Sequence, residues 1–525
     1  MYNREEFVRQ IKARDETWDF IVIGGGATGL GIAVDSSSRG YKTILLEQSD
    51  FSKSTSCRST KLVHGGVRYL QKGDVGLVME ALRERGLLLK NAPHLVRNQR
   101  FVIATYKWWE KSFYTLGLTL YDLLSGRMRM GYSHPLSKEE AVKRIPQIER
   151  KNLTGGVSYH DGQFDDSRLA INLMQTAVDN GAVMLNHFPV KGLVKNSKGI
   201  ICGVSAEDAI DGGSFEIKGR CIINATGIFV DEIIKMDDLR QRPLVRPSQG
   251  VHLVVAKSFL GAEDAIMVPR TSDGRVMFGV PWHDRVILGT TDIPVNEFVL
   301  EPKAREEEID FILETAGRYL SVKPRRKDVL CVFAGLRPLA APKDDTGTAR
   351  TKEISRSHKL IASKSGLVTI TGGKWTTYRK MAEDTVNMAV SIQKLPSRKC
   401  ITPDLMIHGA TEKAGDDRDW LSVYGSDSAG IKGLYSENPR LAEKIHPSFE
   451  CTAACVVWAV RHEMARTVDD VLARRVRTLF LDAAASVEMA PAVASLMADE
   501  LKKDKKWEED QVRSYTNLAS AYILG

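Results

Sequence analysis

A glycine-rich segment near the start of the chain restricts its fold more than any other feature. Residues 19–24 form an apolar run that stops at glycine, as buried parallel strands do, and residues 24–29 read Gly-Gly-Gly-Ala-Thr-Gly. Helical spacing over residues 27–39 and a second apolar run over residues 42–47 follow. This order predicts a strand–helix–strand unit that binds an adenine dinucleotide, the alternative being a glycine-rich turn without a ligand.

Four residues of this unit have separate roles in the predicted binding. Gly24 permits the tight turn, Gly26 lets a pyrophosphate approach the main chain, and Gly29 lets the helix pack closely on the strand. Glu47 ends the second strand, where an acid that binds a ribose is expected. The unit does not distinguish FAD from NAD. Residues 54–70, with many hydroxyls and paired glycines, suit a flavin and its pyrophosphate, or they form an ordinary polar loop.

Composition excludes several classes of protein. A chain of 525 residues with 43% hydrophobic and 27% charged residues is globular, and we expect about two or three domains. A net charge of +8 is too dilute to indicate nucleic-acid binding, but it suits an anionic substrate or membrane surface. The seven cysteines form no CxxC pair, which favours a reducing compartment and argues against a metal site or a disulfide framework.

The sequence offers one candidate for contact with a membrane. The charged residues 1–18 lack the apolar centre of a secretory signal, and no run of about 18 apolar residues predicts a spanning helix. Lys-Trp-Trp-Glu-Lys at residues 107–111 and the apolar residues 112–126 suit a lipid–water interface, which tryptophan and lysine both favour. We expect a peripheral contact here; the alternative is that both tryptophans lie in the core.

Motifs spread along the chain resemble those of one enzyme family. In order they are IVIGGGATGLGIAVDSSSRG (21–40), STKLVHGGVRYL (59–70), NATGIFVDEI (224–233), PSQGVHLVV (247–255), MFGVPWHDRVILGTTD (277–292), FAGLRPL (333–339), TGGKWTTYRKMAEDTV (371–386) and RRVRTLFLD (474–482). Together they resemble the respiratory, FAD-dependent glycerol-3-phosphate dehydrogenases of the D-amino-acid-oxidase-like flavoprotein superfamily. Two details depart from the family pattern: Cys57-Arg58 replaces small residues, and residues 343–349 form a longer loop.

The resemblance implies an α/β fold in three parts. A Rossmann-like FAD-binding domain is expected from residues 1–90, 150–240 and 335–395, and an inserted β-sheet substrate domain from residues 91–149 and 241–334. Residues 396–525 are expected to form a C-terminal helical domain. Within this frame, the local pattern predicts a helix over residues 163–182 and two separate strands over residues 214–218 and 221–225.

The resemblance also implies catalytic and substrate-binding residues. His252, in a strand, is the candidate general base, while Arg337 and Lys374 would stabilise developing negative charge on substrate and flavin. Arg68, Tyr69 and Arg356 are the candidates for binding the substrate phosphate, since arginine suits a phosphate's geometry. For each residue the alternative is structural: a hydrogen-bonded histidine, a surface cation or an ion-pair partner.

The implied cofactor is FAD, and its expected contacts come from separated segments of the chain. They are Gly24, Gly26, Gly29, Glu47, Thr55, Ser59, Lys61, Leu62, Val190, Gly227, Gly373, Lys374, Trp375 and Thr376. The implied reaction is oxidation of sn-glycerol 3-phosphate to dihydroxyacetone phosphate by hydride transfer to the flavin, with a quinone as the acceptor.

Other functions and partners stay open at this point. The alternatives are an oxidase that uses oxygen, a related amino-acid oxidase, and a non-catalytic flavoprotein. We expect a cytoplasmic protein on the inner face of the cell membrane, with no nucleic acid as a partner, and a homodimer stays open.

Overall fold

Two large sheets and a C-terminal group of helices make up the fold. The computed structural model describes residues 2–13, 16–70, 73–341, 358–411 and 419–525, with the side chain of Arg68 outside the description. The strands are β1 Trp18–Ile23, β2 Thr43–Leu46, β3 Leu62–Val63, β4 Val96–Thr105, β5 His134–Leu136, β6 Gly155–Phe164, β7 Val183–Leu185, β8 Val190–Lys195, β9 Ile201–Glu207, β10 Ser214–Asn224, β11 Val245–Ala256, β12 Ala265–Val268, β13 Met277–Trp282, β14 Arg285–Gly289, β15 Ile293–Pro294, β16 Val329–Ala340, β17 Lys359–Ala362 and β18 Val368–Thr371.

The α-helices lie between these strands and after them. They are α1 Arg4–Ala13, α2 Ala27–Ser38, α3 Val67–Leu70, α4 Val75–Asn91, α5 Glu110–Ser125, α6 Lys138–Arg144, α7 Asp166–Asp179, α8 Val230–Asp237, α9 Glu306–Tyr319, α10 Tyr378–Ile392, α11 Ser428–Glu437, α12 Ala453–His462, α13 Thr478–Leu481, α14 Ala483–Leu501 and α15 Lys505–Ala519. Among the helices of the described residues, none combines the length and the apolar character needed to cross a bilayer.

The first sheet is built around the glycine-rich unit. Its main path runs β17-β18-β10-β1-β2-β7, and β1 pairs in parallel with both β10 and β2. Helix α2 follows β1 directly, and its buried residues pack into the same core as the strands. The predicted strand–helix–strand unit is therefore present, with bounds close to those expected from the apolar runs.

The second sheet carries His252 and Arg337, two of the three residues that the family resemblance connects with catalysis. Its main path runs β15-β11-β14-β13-β12-β4-β6-β3, and β16 pairs antiparallel with β11. Its strands come from distant parts of the sequence, from β3 near the start to β16. The second sheet is thus assembled from separated segments, as an inserted domain requires, although the predicted domain limits themselves stay a prediction.

Three local predictions differ from the structure. The helix predicted over residues 163–182 begins at Asp166, because residues up to Phe164 complete strand β6. The strands predicted over residues 214–218 and 221–225 are one strand, β10, which pairs first with β9 and then with β1. The long strands β4 and β6, which pair along their full lengths, were not predicted, since β6 contains glycines and polar residues that hide its period.

The C-terminal helices pack against the second sheet. A single core joins residues of α12 and α14 to Trp282, Ile287 and Phe333 of the sheet. The mixed α/β class, the Rossmann-like unit and the C-terminal helical region are therefore confirmed.

Candidate active site

A crevice lies at the carboxyl ends of β1, β2 and β10, where parallel sheets commonly bind ligands. It encloses about 1160 Å³, part of it open to solvent. Its walls come from the glycine-rich turn, the loop around Ser54–Ser56, the segment 225–229 after β10, and the turn 372–375 before α10. Segments far apart in the sequence therefore form one site.

Three glycines of the turn have different structural roles at the crevice. Gly24 has a φ of +105°, which favours glycine. A Cβ atom on Gly29 would lie 1.8 Å from the carbonyl oxygen of Gly24, so this position allows the close packing of helix and strand. A Cβ atom on Gly26 would meet only Ser56 Oγ, at 3.2 Å, and the main chain there is open to a ligand. This geometry fits the close approach of a pyrophosphate at a helix N-terminus.

Glu47 also faces the crevice, where it anchors the turn. Its carboxylate accepts hydrogen bonds from the amide of Gly25 at 2.6 Å and from the amide of Ser49 at 2.8 Å. Because the carboxylate has further lone pairs, it can still bind a ribose hydroxyl. The position at the end of β2 agrees with the role expected from the sequence.

Most of the predicted cofactor residues line the crevice, but not all of them. Those on its wall are Gly24, Gly26, Glu47, Thr55, Val190, Gly227, Gly373, Lys374 and Trp375. Gly29, Ser59, Lys61, Leu62 and Thr376 are not on the wall. Gly29 acts through packing, Leu62 is buried in β3, and Thr376 accepts a hydrogen bond from the amide of His64.

The side chains of Lys61 and Ser59 both bind Asp166. The ammonium of Lys61 lies 2.6 Å from Asp166 Oδ1, and both side chains are fully buried. Ser59 Oγ donates to Asp166 Oδ2 at 2.6 Å. Neither side chain is directed at the crevice, so contact of residues 59 and 61 with a cofactor would have to come from their main chain.

His252 and Arg337 lie on neighbouring strands of the second sheet. In the pairing of β11 with β16, Ser248 lies opposite Arg337 and His252 opposite Phe333. Between them, a Cβ atom on Gly250 would lie 2.2 Å from Nη2 of Arg337, so the guanidinium extends over this glycine towards His252. The pairing of two distant strands therefore brings together the predicted base and cation.

The surroundings of His252 favour a neutral ring. The imidazole is 2% exposed and stacks on Phe333, with ring centroids 4.8 Å apart. Burial, with the positive charges of Arg337 and Lys61, holds the pKa of His252 well below its usual value of 6.5. A neutral imidazole is the form that can accept a proton.

Arg337 is held by polar groups near the end of β14. Its Nη1 lies 3.4 Å from Asp292 Oδ1, and its Nη2 donates to Thr290 Oγ1 at 3.2 Å and to the carbonyl of Thr291 at 3.1 Å. Asp292 also accepts a short hydrogen bond from Ser248. The guanidinium is thus fixed in orientation beside the histidine.

The remaining predicted site residues are only partly described. Lys374 lies on the crevice wall with its ammonium 4.0 Å from the ring centre of Tyr69, a cation–π contact. Tyr69 therefore stands next to a predicted catalytic residue. Arg68 lies in helix α3 without a described side chain, and Arg356 lies outside the described residues.

Sequence reasoning missed four residues of the site. Ser56 accepts a hydrogen bond from the amide of Ala27 at the start of α2, and Thr60 contacts His252. Asp166 binds Lys61, and Asp292 orients Arg337. Ser56 and Thr60 belong to the hydroxyl-rich loop already singled out, but no local signal connected the two carboxylates with their cations.

A dinucleotide crevice on a Rossmann-like sheet, beside a second sheet that presents a histidine and an arginine, defines a dinucleotide-dependent oxidoreductase. The family model "FAD dependent oxidoreductase" matches residues 19–379, and the model "C-terminal domain of alpha-glycerophosphate oxidase" matches residues 368–508. The chain belongs to the FAD-dependent glycerol-3-phosphate dehydrogenase family, as its curated relatives show, and its cofactor is FAD.

The relatives match almost the whole chain. The probable mitochondrial glycerol-3-phosphate dehydrogenase of Caenorhabditis elegans is 38% identical over 97% of this chain and 74% of its own length. The mitochondrial enzyme of Homo sapiens is 38% identical over 95% of this chain and 72% of its own length. Among solved structures, the glycerol-3-phosphate dehydrogenase of Bacillus halodurans complexed with FAD has a TM-score of 0.81 and 27% identity, covering 100% of this chain and 99% of that one.

Proposed function

We propose that this enzyme oxidises sn-glycerol 3-phosphate to dihydroxyacetone phosphate and passes the electrons to a quinone. The observation that carries the proposal is the pairing of β11 with β16, which places His252 and Arg337 together in a chain of this family. FAD, when bound, supplies the acceptor for the hydride that leaves the secondary alcohol carbon. Every other requirement of the reaction falls to the side chains of the protein.

The proposed roles follow from the chemistry of each side chain. His252 takes the proton of the alcohol, because its buried ring is neutral. Arg337, fixed by Asp292, stabilises the negative charge that develops on the alcohol oxygen. Lys374 adds positive charge at the crevice wall.

The substrate phosphate is assigned to arginines, and we propose Arg68 and Arg356 as its ligands together with Tyr69. A guanidinium offers a phosphate two parallel hydrogen bonds. We expect Arg68→Ala and Arg356→Ala to raise the apparent Kd for glycerol 3-phosphate. Normal binding in both variants would place the phosphate elsewhere.

A two-step anaerobic experiment tests the substrate and the acceptor separately. Glycerol 3-phosphate should bleach the flavin absorbance of the purified enzyme without oxygen, while glycine and D-alanine should not. A water-soluble quinone analogue added next should restore the colour faster than oxygen does. Bleaching by an amino acid would favour an amino-acid oxidase, and faster recolouring by oxygen would favour an oxidase.

A quinone resides in lipid, and helix α5 presents a surface suited to lipid. The α5 stripe consists of Trp109, Phe113, Leu116, Leu120 and Leu123, spaced three or four residues apart and between 43% and 75% exposed. Trp108, two residues before the helix, is 86% exposed, so the tryptophans do not lie in the core. Lys107 and Lys111 flank the stripe and suit anionic headgroups. We assign the stripe to peripheral contact with the inner face of the cell membrane.

Cosedimentation with anionic vesicles tests this surface. The double variant Trp108→Ala/Trp109→Ala should pellet less than the wild type, with unchanged activity towards a soluble dye acceptor. Leu239→Ala is a matched control, since Leu239 is 83% exposed and lies outside the stripe. Salt should weaken the electrostatic part of binding, while the apolar part should persist until detergent is added. A wild type that does not pellet at low salt would contradict the assignment.

A further inference from the structure

The imidazole of His252 is enclosed on both faces. Phe333 stacks on one side at an interplanar angle of 18°. On the β14 side, a Cβ atom on Gly289 would lie 2.3 Å from Cδ2 of the imidazole, so only glycine leaves room for the ring. With 2% exposure, the ring has little freedom to turn. Its reactivity therefore depends on what its two nitrogens contact.

The two nitrogens of His252 have unequal surroundings. Nδ1 is buried and finds no hydrogen-bond partner among the described residues. Nε2 lies 2.8 Å from the hydroxyl oxygen of Thr60, which is itself partly exposed. Thr60 thus provides the hydrogen bond that connects this sealed ring with a polar group nearer to solvent.

The main chain on both sides of Thr60 is anchored. Ser59 donates from its amide and its hydroxyl to Asp166, and the ammonium of Lys61 binds Asp166 and the carbonyl of Cys57. Lys61 also has a φ of +59°, in the left-handed region. These contacts fix the main chain that carries Thr60.

We infer that Thr60 is a positioning residue for His252, with a hydroxyl that keeps the ring in place and in hydrogen-bonded contact while it takes up and releases a proton. The inference rests on the proposed role of His252 as the base. A hydroxyl is both a donor and an acceptor. It can therefore accept from the Nε2–H group once the ring is protonated, which no apolar side chain can do.

The contact with Thr60 favours protonation of His252, whereas the charged groups around the ring disfavour it. The charged groups that face His252 are Arg337 from β16 and Lys61 from the loop before β3, and both disfavour a protonated ring. A hydroxyl that accepts from the protonated ring stabilises it without adding a charge. In the overall step the alcohol loses a hydride to the flavin and a proton to His252, and the product carbonyl forms.

Two substitutions separate the hydroxyl from the shape of the side chain. Thr60→Val keeps the shape and removes the hydroxyl, whereas Thr60→Ser keeps the hydroxyl. Flavin reduction by glycerol 3-phosphate is measured by anaerobic stopped flow between pH 6 and 9, with the FAD content checked first. Thr60→Val should slow reduction at least about tenfold, but by less than the roughly 10²–10⁴-fold expected when the base itself is lost, with little change in the apparent Kd.

The controls distinguish this inference from the proposed function. The rate of flavin reduction in Thr60→Ser should stay within about threefold of the wild-type rate. The double variant Thr60→Val/His252→Ala should be no slower than His252→Ala, since the two residues act as a unit. A Thr60→Val enzyme as fast as the wild type would overturn the inference, as would an equally slow Thr60→Ser. Normal reduction by His252→Ala would instead remove the proposed base. If Thr60→Val loses FAD, the rates of flavin reduction of Thr60→Ala and Thr60→Ser are compared instead. A slow Thr60→Ala beside a fast Thr60→Ser would support the inference, and equal rates would overturn it.

Discussion

Replacing Lys61 with methionine tests how far the fold depends on one buried charge pair. The ammonium of Lys61 lies 2.6 Å from Asp166, and both side chains are inaccessible to solvent. Methionine keeps the length of the stem but leaves the carboxylate of Asp166 buried without its cation. We expect a loss of about 3–5 kcal/mol in the free energy of unfolding, the usual cost of breaking a buried pair.

The aromatic rings around the ammonium make a second contribution to this value. Nζ of Lys61 lies 4.9 Å from the ring centre of Trp282 and 5.2 Å from that of Phe480. Cation–π contacts of this kind contribute about 0.5–2 kcal/mol each. The thioether of methionine also packs well on aromatic rings and recovers part of that contribution. The unpaired carboxylate therefore remains the main cost.

Urea unfolding of the variant is compared with that of Lys90→Met. Lys90 forms an ion pair of similar length with Asp404, at 2.7 Å, but the two side chains are 53% and 81% exposed. Its loss should cost about 1 kcal/mol or less. Equal losses in the free energy of unfolding for Lys61→Met and Lys90→Met would refute the argument that burial makes the Lys61 pair the stronger one.

The pH dependence of the Lys61→Met variant provides a second measurement. Burial already raises the pKa of Asp166 above its usual value, although Lys61 opposes the rise. Without the ammonium this pKa rises further, so the carboxylate destabilises the folded state at high pH and is neutralised as the pH falls. The difference in the free energy of unfolding between wild type and variant should therefore shrink from pH 8 to pH 6. A difference that grows as the pH falls would contradict this explanation.

Three further predictions concern the cofactor and a surface histidine. Gly26→Val should yield protein without flavin absorbance, whereas Gly433→Val, where a Cβ atom meets nothing within 4 Å, should keep it; a yellow Gly26→Val protein would contradict the pyrophosphate assignment. Tyr522 donates to Glu301 at 2.6 Å and accepts from Arg58 at 2.9 Å, beside Leu300 on the crevice wall. Tyr522→Phe should therefore loosen this part of the wall and release FAD faster, as followed by flavin fluorescence; an unchanged rate would rule this out. Burial lowers the pKa of His408, but hydrogen bonds to Asp179 and Asp427 outweigh it and raise the pKa to about 9. The stabilisation by protonated His408 is complete below pH 6.5, the pKa of histidine in the unfolded chain, and is lost as the pH rises through 9. The urea midpoints of wild type and His408→Gln should therefore converge as the pH rises over that range, and midpoints that stay equally far apart would contradict this.

The sequence by itself determined the features that depend on neighbouring residues. The glycine-rich turn, the strand before it and the helix after it were predicted because an apolar run, a glycine pattern and helical spacing occur within a few dozen residues. Glu47 was placed at the crevice because the length of α2 brings the end of the next strand back beside the turn. Family motifs then connected His252 and Arg337 with the reaction, without showing how they meet.

Only the tertiary structure decided which distant residues share an environment. The sequence predicts Lys61 as a contact of FAD, whereas the fold places its ammonium against Asp166, and Lys61 is not on the crevice wall. The antiparallel pairing of β11 with β16 extends Arg337 towards His252. The contact of Thr60 with His252 depends on the same assembly. Periodicity and propensity describe which residues share one helix or strand, whereas these contacts depend on how strands far apart in the sequence are ordered in a sheet, and no local pattern carries that order.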